Sequence, residues 1–267
     1  LIEEKHRIAC RYIRKTVKED YPIGIILGTG LGGLVKLIDI KHSVNYNDIP
    51  DFPVSTVESH AGKLIFGKLA GRNIVAMSGR FHYYEGYNHD KVTFPVFVLK
   101  LLGIKYMIVS NACGAINPVF QKTDLMIMTS HINLHFKTPL IGKNHSRNNE
   151  KSIYSSELIE LAYKTALQNN IKIKKGSYAT VQGPNLETRS EYKMMQKIGA
   201  DVVGMSTVPE LLVACKLGIK SLGLSIVTDL GFPDTLEVAK LSKILKAAGI
   251  AEPNLISLIK NLVPKLN

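Results

Sequence analysis

The chain has 267 residues, with 45% hydrophobic and 21% charged residues, enough length and apolar content for a buried core and too much for a disordered chain. Lys and Arg outnumber Asp and Glu by 34 to 22, a formal charge of +12. The basic residues are spread out, with short clusters such as Lys172, Lys174 and Lys175 and no zinc-finger, RNP or helix-turn-helix pattern, so the surplus reads as a surface that attracts small anions, not as a nucleic-acid interface.

No apolar run reaches the roughly 18 residues needed to span a bilayer. The opening LIEEKHRIACRYIRKTVKED lacks a signal-peptide core, so neither a membrane nor export is expected. The start at Leu1, without an initiator methionine, suggests a processed or incomplete amino end. The segment reads as an amphipathic helix over 5–18, with Ile8, Tyr12, Ile13 and Val17 on one side. Cys10, Cys113 and Cys215 are scattered and form no C-x-x-C, which points to reduced thiols in the cytoplasm.

A strand is expected over Ile23–Leu27, followed by GTGLGG. Gly28, Gly30 and Gly33 match G-x-G-x-x-G, but a dinucleotide site also needs a second strand ending in an acid about twenty residues on. The stretch HSVNYNDIPDFPVST holds two prolines, and Asp48 and Asp51 close no apolar strand, so NAD is not expected. The loop instead offers backbone N–H groups and the Thr29 hydroxyl, a cradle for a single phosphate.

Strands over Lys63–Leu69 and Asn73–Met77, joined by Ala70-Gly71-Arg72, read as a hairpin. SGRFHYYEGY follows, at a strand's carboxyl end, where α/β sheets place ligands. Arg80 is suited to bind phosphate bidentately, His82 to donate to it, and Glu85 to orient a neighbouring base. After a helix over 91–102, a strand over Tyr106–Ser110 runs into SNACGAINP, where Asn111 to Gly114 are small or polar and let backbone approach a ligand. A strand over Leu125–Ser130 leads to HINLH. His131 and His135 have i, i+4 spacing, but no acid lies between them and they are not read as a zinc site. The polar stretch Lys137–Ser152 reads as a loop.

A helix over 155–169, a strand over Ser177–Val181 and a helix over 187–198 come next. A strand over Val202–Met205 then enters a helix over 207–217 through VVGMSTVPE. Ser206 is a candidate for phosphate at the helix amino end, and Thr207 a candidate cap, with Pro209 and Glu210 in the first turn. A strand over Leu222–Thr228 and a helix over 236–262 complete the pattern. Strands alternating with helices imply one α/β domain over residues 1–267, with a mostly parallel or mixed sheet covered on both faces.

GTGLGG, ESHAGKLIFG, GRFHYYEGY, SNACGAINP, GPNLET and VVGMSTVPE occur in this order. From Ile23 to Asp229 the chain resembles the trimeric-type purine nucleoside phosphorylases. The resemblance implies a single domain with a twisted, partly barrel-like mixed sheet flanked by helices, and a homotrimer. It implies phosphate-dependent cleavage of purine nucleosides in purine salvage, with phosphate as co-substrate and no cofactor or metal. It assigns phosphate to Thr29, His60, Arg80, His82, the backbone at Ala112, and Ser206. It assigns ribose to Tyr84 and Met205, and the purine to Ala112, Cys113, Gly114, Leu186, Glu187, Val203, Gly204 and Asp229. His82, Glu187 and Asp229 carry the catalysis in this reading. Glu187 accepts from the N1–H edge and Asp229, its pKa raised by burial and by Glu187, donates toward N7. A cap at Asp229 is the structural alternative.

The family's late His, which bonds the ribose 5′-hydroxyl, is missing: the matching stretch EVAKLSKIL offers Lys240, Leu241 or Ser242. The family's Arg-Phe-Pro loop is replaced by NHSRNNEKSIY, and its aromatic before the base-binding Glu by Leu186. Asp229 stands where many members carry Asn. These departures keep a 5′-methylthioadenosine phosphorylase and a catalytically weakened nucleoside-binding protein as alternatives.

Overall fold

The computed structural model describes residues 1–28, 32–54, 62–140, 153–236 and 240–266. Its elements run α1 Glu4–Thr16, β1 Ile23–Leu27, β2 Asp39–Asn45, β3 Lys63–Leu69, β4 Arg72–Ser78, α2 His89–Leu101, β5 Tyr106–Ala115, β6 Leu125–Asn133, α3 Ser156–Gln168, β7 Ile173–Thr180, α4 Arg189–Lys197, β8 Val202–Gly204, α5 Val208–Lys216, β9 Lys220–Leu230 and α6 Leu241–Leu262.

The strands form one mixed sheet, in the order β2-β3-β4-β1-β5-β8-β7-β6-β9, and β9 returns to pair with β5. That pairing closes β5, β8, β7, β6 and β9 into a barrel and leaves β1, β4, β3 and β2 as an open wing. The barrel-like mixed sheet implied by the family resemblance is therefore present. β1 lies between β4 and β5, parallel to both, and its IGIIL is buried throughout, as a strand covered on both faces requires. Helices α1, α2 and α5 pack together against one side, with Ile13, Phe97 and Leu211 in the same apolar cluster as Val75 and Val109. Helices α3 and α6 cover the other, where Leu158 and Leu258 join Ile25 and Ile108. Each such side chain contributes about 1.5–3 kcal/mol by leaving water.

Two departures from the sequence reading matter for function. Strand β2 has no counterpart in it: β2 pairs antiparallel with β3 at the sheet's edge and its DIKHSVN is mostly exposed, so no apolar run marks it. It is not the parallel second strand of a dinucleotide fold, which agrees with rejecting NAD. Strand β5 continues to Ala115, so SNACGA is strand and not loop. Within it, Ser110–Cys113 are paired on one side only.

Candidate active site

The ladder around β5 splits where the wing leaves the barrel. On one side, β1 pairs with Tyr106–Val109 and β8 only with Gly114 and Ala115. Between them, Ser110 to Cys113 pair only with β9, on the other side. A backbone without a strand neighbour is left to address something else. Arg80 donates to the Ser110 carbonyl at 2.9 Å, while Asn111, Ala112 and Cys113 line a cavity of about 660 Å³ that opens to solvent. Gly28 closes the approach of β1 to this split. A Cβ there would lie 2.6 Å from the Ser110 carbonyl oxygen and 2.9 Å from the Asn111 Cα.

The cavity gathers segments far apart in sequence. From the wing come Arg80, His82 and Tyr84; from the barrel come Ala112, Cys113, Gly114, Val203, Gly204 and Asp229. Leu186 and Glu187 enter from the segment before α4, and Met205 and Ser206 from the turn between β8 and α5. Thr29 and His60 lie outside the described residues. Thr228 and Ile244 also line the cavity, and neither was legible: Thr228 reads as ordinary strand and Ile244 as an ordinary apolar helix residue. Asn111, read only as small or polar backbone, bonds Thr207 Oγ1 through Nδ2 at 3.0 Å.

At the basic end, Arg80 is 1% exposed. Its Nε and Nη2 donate to one Glu210 oxygen at 3.2 and 2.7 Å, and Nη1 donates to Ser206 Oγ at 3.1 Å and Thr207 Oγ1 at 3.2 Å. Glu210 takes the Nε–Nη2 edge of the guanidinium, and Arg80 meets the cavity beside Ser206. Glu85 accepts from both the backbone N and ring Nδ1 of His82, each at 2.8 Å. Tyr84 stacks on the His82 ring, with centroids 4.7 Å apart. Burial, and then the Glu85 charge, push its phenol up to about 12.

Thr207 is corrected as well. It holds the N-cap position of α5 but its side chain makes no capping bond. Its φ is 73°, and Val208 N donates back to the Ser206 carbonyl at 2.8 Å, a γ-turn that costs about 1–3 kcal/mol in a non-glycine residue. The strain is held by bonds to Arg80 and Asn111, and it places Ser206 in the cavity wall.

At the acidic end, burial raises the Glu187 carboxyl; a hydrogen bond from Tyr192 opposes that shift and the Asp229 charge adds to it. Burial also raises Asp229, opposed by a hydrogen bond from Thr228 Oγ1 at 2.8 Å and by the Lys122 charge. The two carboxyls also repel as like charges, which adds to the upward push on Glu187. Asp229 sits on β9 and caps no helix. The Cys113 thiol donates to the Ile226 carbonyl at 3.4 Å, and burial lifts its pKa well above the usual thiol value. None of Lys240, Leu241 and Ser242 reaches this cavity. Lys240 lines a neighbouring one with Lys122, Tyr192 and Lys243, Leu241 is 66% exposed, and among the described residues of that stretch Ile244 faces the site.

His131 and His135 do not converge: His131 contacts Tyr154 OH at 3.1 Å, and His135 bonds the Val181 carbonyl at 2.7 Å and His89 at 3.2 Å. Among the described residues no helix is long and apolar enough to cross a membrane.

A family model described as the phosphorylase superfamily matches residues 22–264. Purine nucleoside phosphorylase 1 of Bacillus subtilis is 47% identical over 226 residues, 83% of each chain. The purine nucleoside phosphorylase of Mus musculus is 37% identical over 276 residues, 98% of this chain and 96% of the mouse protein. A crystal structure of isoform 2 of the Schistosoma mansoni enzyme, in complex with cytosine and ribose-1-phosphate, superposes with a TM-score of 0.93 at 35% identity, covering 99% of this chain and 97% of that one. The cavity, the sheet and the likeness across nearly the whole chain agree: this protein belongs to the phosphorylase superfamily and, within it, to the purine nucleoside phosphorylases.

Proposed function

We propose that phosphorolysis of the purine nucleoside runs in the cavity at the β5 split, with phosphate toward Arg80, His82 and Ser206 and the purine toward Glu187 and Asp229. The observation that carries this reading is one cavity lined both by a basic cluster and by two carboxyls whose pKa values burial raises. Thr29 and His60 complete the phosphate group, with the backbone at Ala112. Tyr84 and Met205 flank the ribose. Ala112, Cys113, Gly114, Leu186, Val203 and Gly204 surround the base, Leu186 giving it an aliphatic face.

As the glycosidic bond lengthens, its electron pair moves to the purine and positive charge grows at C1′. Phosphate on the opposite sugar face stabilises that charge and forms the new C1′–O bond. The departing base gains a proton or strong hydrogen bond at N7, and Asp229, whose carboxyl burial raises, gives it when protonated. Positioned acid help of this kind gives about 10²–10⁴-fold, and fixed groups aimed at developing charge add comparable or larger factors. His82, its ring oriented by the Glu85 carboxylate 2.8 Å from Nδ1, faces the phosphate.

Inosine, adenosine, guanosine and methylthioadenosine, each with and without phosphate, test the reading. Phosphate-dependent release of hypoxanthine from inosine is expected, and release that ignores phosphate defeats it. A preference for methylthioadenosine would move the protein to the sister activity. Asp229 also accepts from a 6-amino group when ionised, so it broadens base choice toward adenosine. Asp229→Asn is expected to lower the adenosine-to-inosine ratio of kcat/KM, and an unchanged ratio counts against this role. We further assign the protein to the cytoplasm, supported by three free cysteines, and to a homotrimer, supported by its family resemblance.

A further inference from the structure

Strand β9 breaks its alternation where it borders the cavity. Its register against β5 pairs Cys113 with Val227 and then Gly114 with Asp229, so Thr228 is an extra residue, a β-bulge. In a regular strand, neighbours such as Thr228 and Asp229 face opposite sides. Here both line the nucleoside cavity, and both line the cavity next to it. The bulge thus sets a buried hydroxyl beside a carboxyl. Thr228 Oγ1 donates to Asp229 Oδ1 at 2.8 Å, and the Cys113 carbonyl on β5 accepts from the same hydroxyl at 3.2 Å. The other carboxyl oxygen, Oδ2, lies over Gly114, where a Cβ would come within 2.8 Å of it. Gly114 and Asp229 share the cavity wall, and glycine at 114 is what leaves room for that oxygen.

We propose that Thr228 is a positioning residue that governs base choice: its hydroxyl occupies one oxygen of Asp229 and leaves the other, Oδ2, to meet the purine. The inference rests on the reading of Asp229 as the group that faces N7 and the 6-substituent. A donor held at Oδ1 has two effects. It fixes the carboxyl, and in the neutral acid it leaves the proton on Oδ2, where it can reach the base. It also favours the ionised form, the one that accepts from a 6-amino group, while burial acts more strongly the other way. The charge of Lys122 favours the ionised form too. Glu187, Cys113 and Tyr192 feel the Asp229 charge, which opposes their own ionisation, and Lys240 and Lys243 share the neighbouring cavity with it.

The test compares the parent with Thr228→Val, Thr228→Ser, Asp229→Asn and the Thr228→Val, Asp229→Asn double variant, measuring kcat/KM for inosine and adenosine against pH. Valine keeps the shape of threonine and lacks the donor. Without that donor the ionised carboxyl is less favoured, so the basic limb of the inosine profile, where Asp229 gives up its proton, should move up by about one pH unit, the worth of one hydrogen bond to a charged group. On that limb the adenosine-to-inosine ratio of kcat/KM should fall by about tenfold. Thr228→Ser, which keeps the hydroxyl, is expected to hold the parental limb and ratio. In the Asp229→Asn background, Thr228→Val should move neither. Limb position and ratio do not depend on how much enzyme is folded, so a loss of stability leaves them readable. A limb and ratio unmoved in Thr228→Val, a serine variant that follows valine, or an equal shift in the Asp229→Asn background overturns the proposal. If Asp229→Asn itself keeps the parental profile and ratio, the reading of Asp229 is wrong and the role of Thr228 goes with it. A clear Asp229→Asn effect beside a silent Thr228→Val removes only the latter.

Discussion

Arg80 shows how a motif can point to a residue and leave its main partner unread. Arg within a strand-end cluster suggested a fork open to phosphate, but its partner Glu210 lies 130 residues on and no local spacing connects them. The pair is almost fully buried, with side-chain exposures of 2% and 4%. Removing one member of such a pair strands the other charge in a dry site. Glu210→Gln should therefore lower the unfolding free energy by about 3–5 kcal/mol, measured by urea denaturation; a change within error would show the pair to be replaceable. Gly28 makes a different demand. Gly28→Ala must push β1 from β5 at the Ser110 carbonyl, so a loss of about 1–3 kcal/mol in stability and a fall in inosine turnover are expected from the same denaturation and activity measurements.

Among the elements, those with a strong local pattern were legible and those defined by a neighbour were not. β1 and β3 have the bounds expected from their apolar runs, and α2 was found although VTFPVFVL shows no single apolar face, because it is buried all round. β2 escaped because an edge strand needs no apolar stripe, and the end of β5 because SNACGA looks like loop until β9 pairs with it. The junction of α2, β6 and β7 carries a pH dependence. His89 Nε2 and His135 Nδ1 are 3.2 Å apart, and His135 also bonds the Val181 carbonyl. Burial pulls both rings below the ordinary histidine value, so the fold disfavours their charged forms. The unfolded chain takes up these protons first as pH falls below about 6.5, so the stability the pair contributes is present above that pH and lost beneath it. The thermal midpoint should fall between pH 6.5 and 5, and less steeply in His89→Gln; parallel profiles for the two would dismiss the pair as the cause.

For the molecule as a whole, the assembly is the open expectation: sedimentation should give a mass near three times 29.5 kDa if the homotrimer holds, and a chain-mass species at assay concentration would reject it. The sequence by itself determined the alternation of strands and helices, the order of the motifs, and the residue types that suit phosphate, ribose and purine, because these depend on local periodicity and on chemistry written in short segments. Tertiary structure alone decided the split beside β5, and it alone paired Arg80 with Glu210 and set Asn111 against Thr207. Partnership across a fold depends on which distant segments are brought to the same place, and burial then sets the charge each group carries there. Neither quantity is a property of the segment that contains the residue.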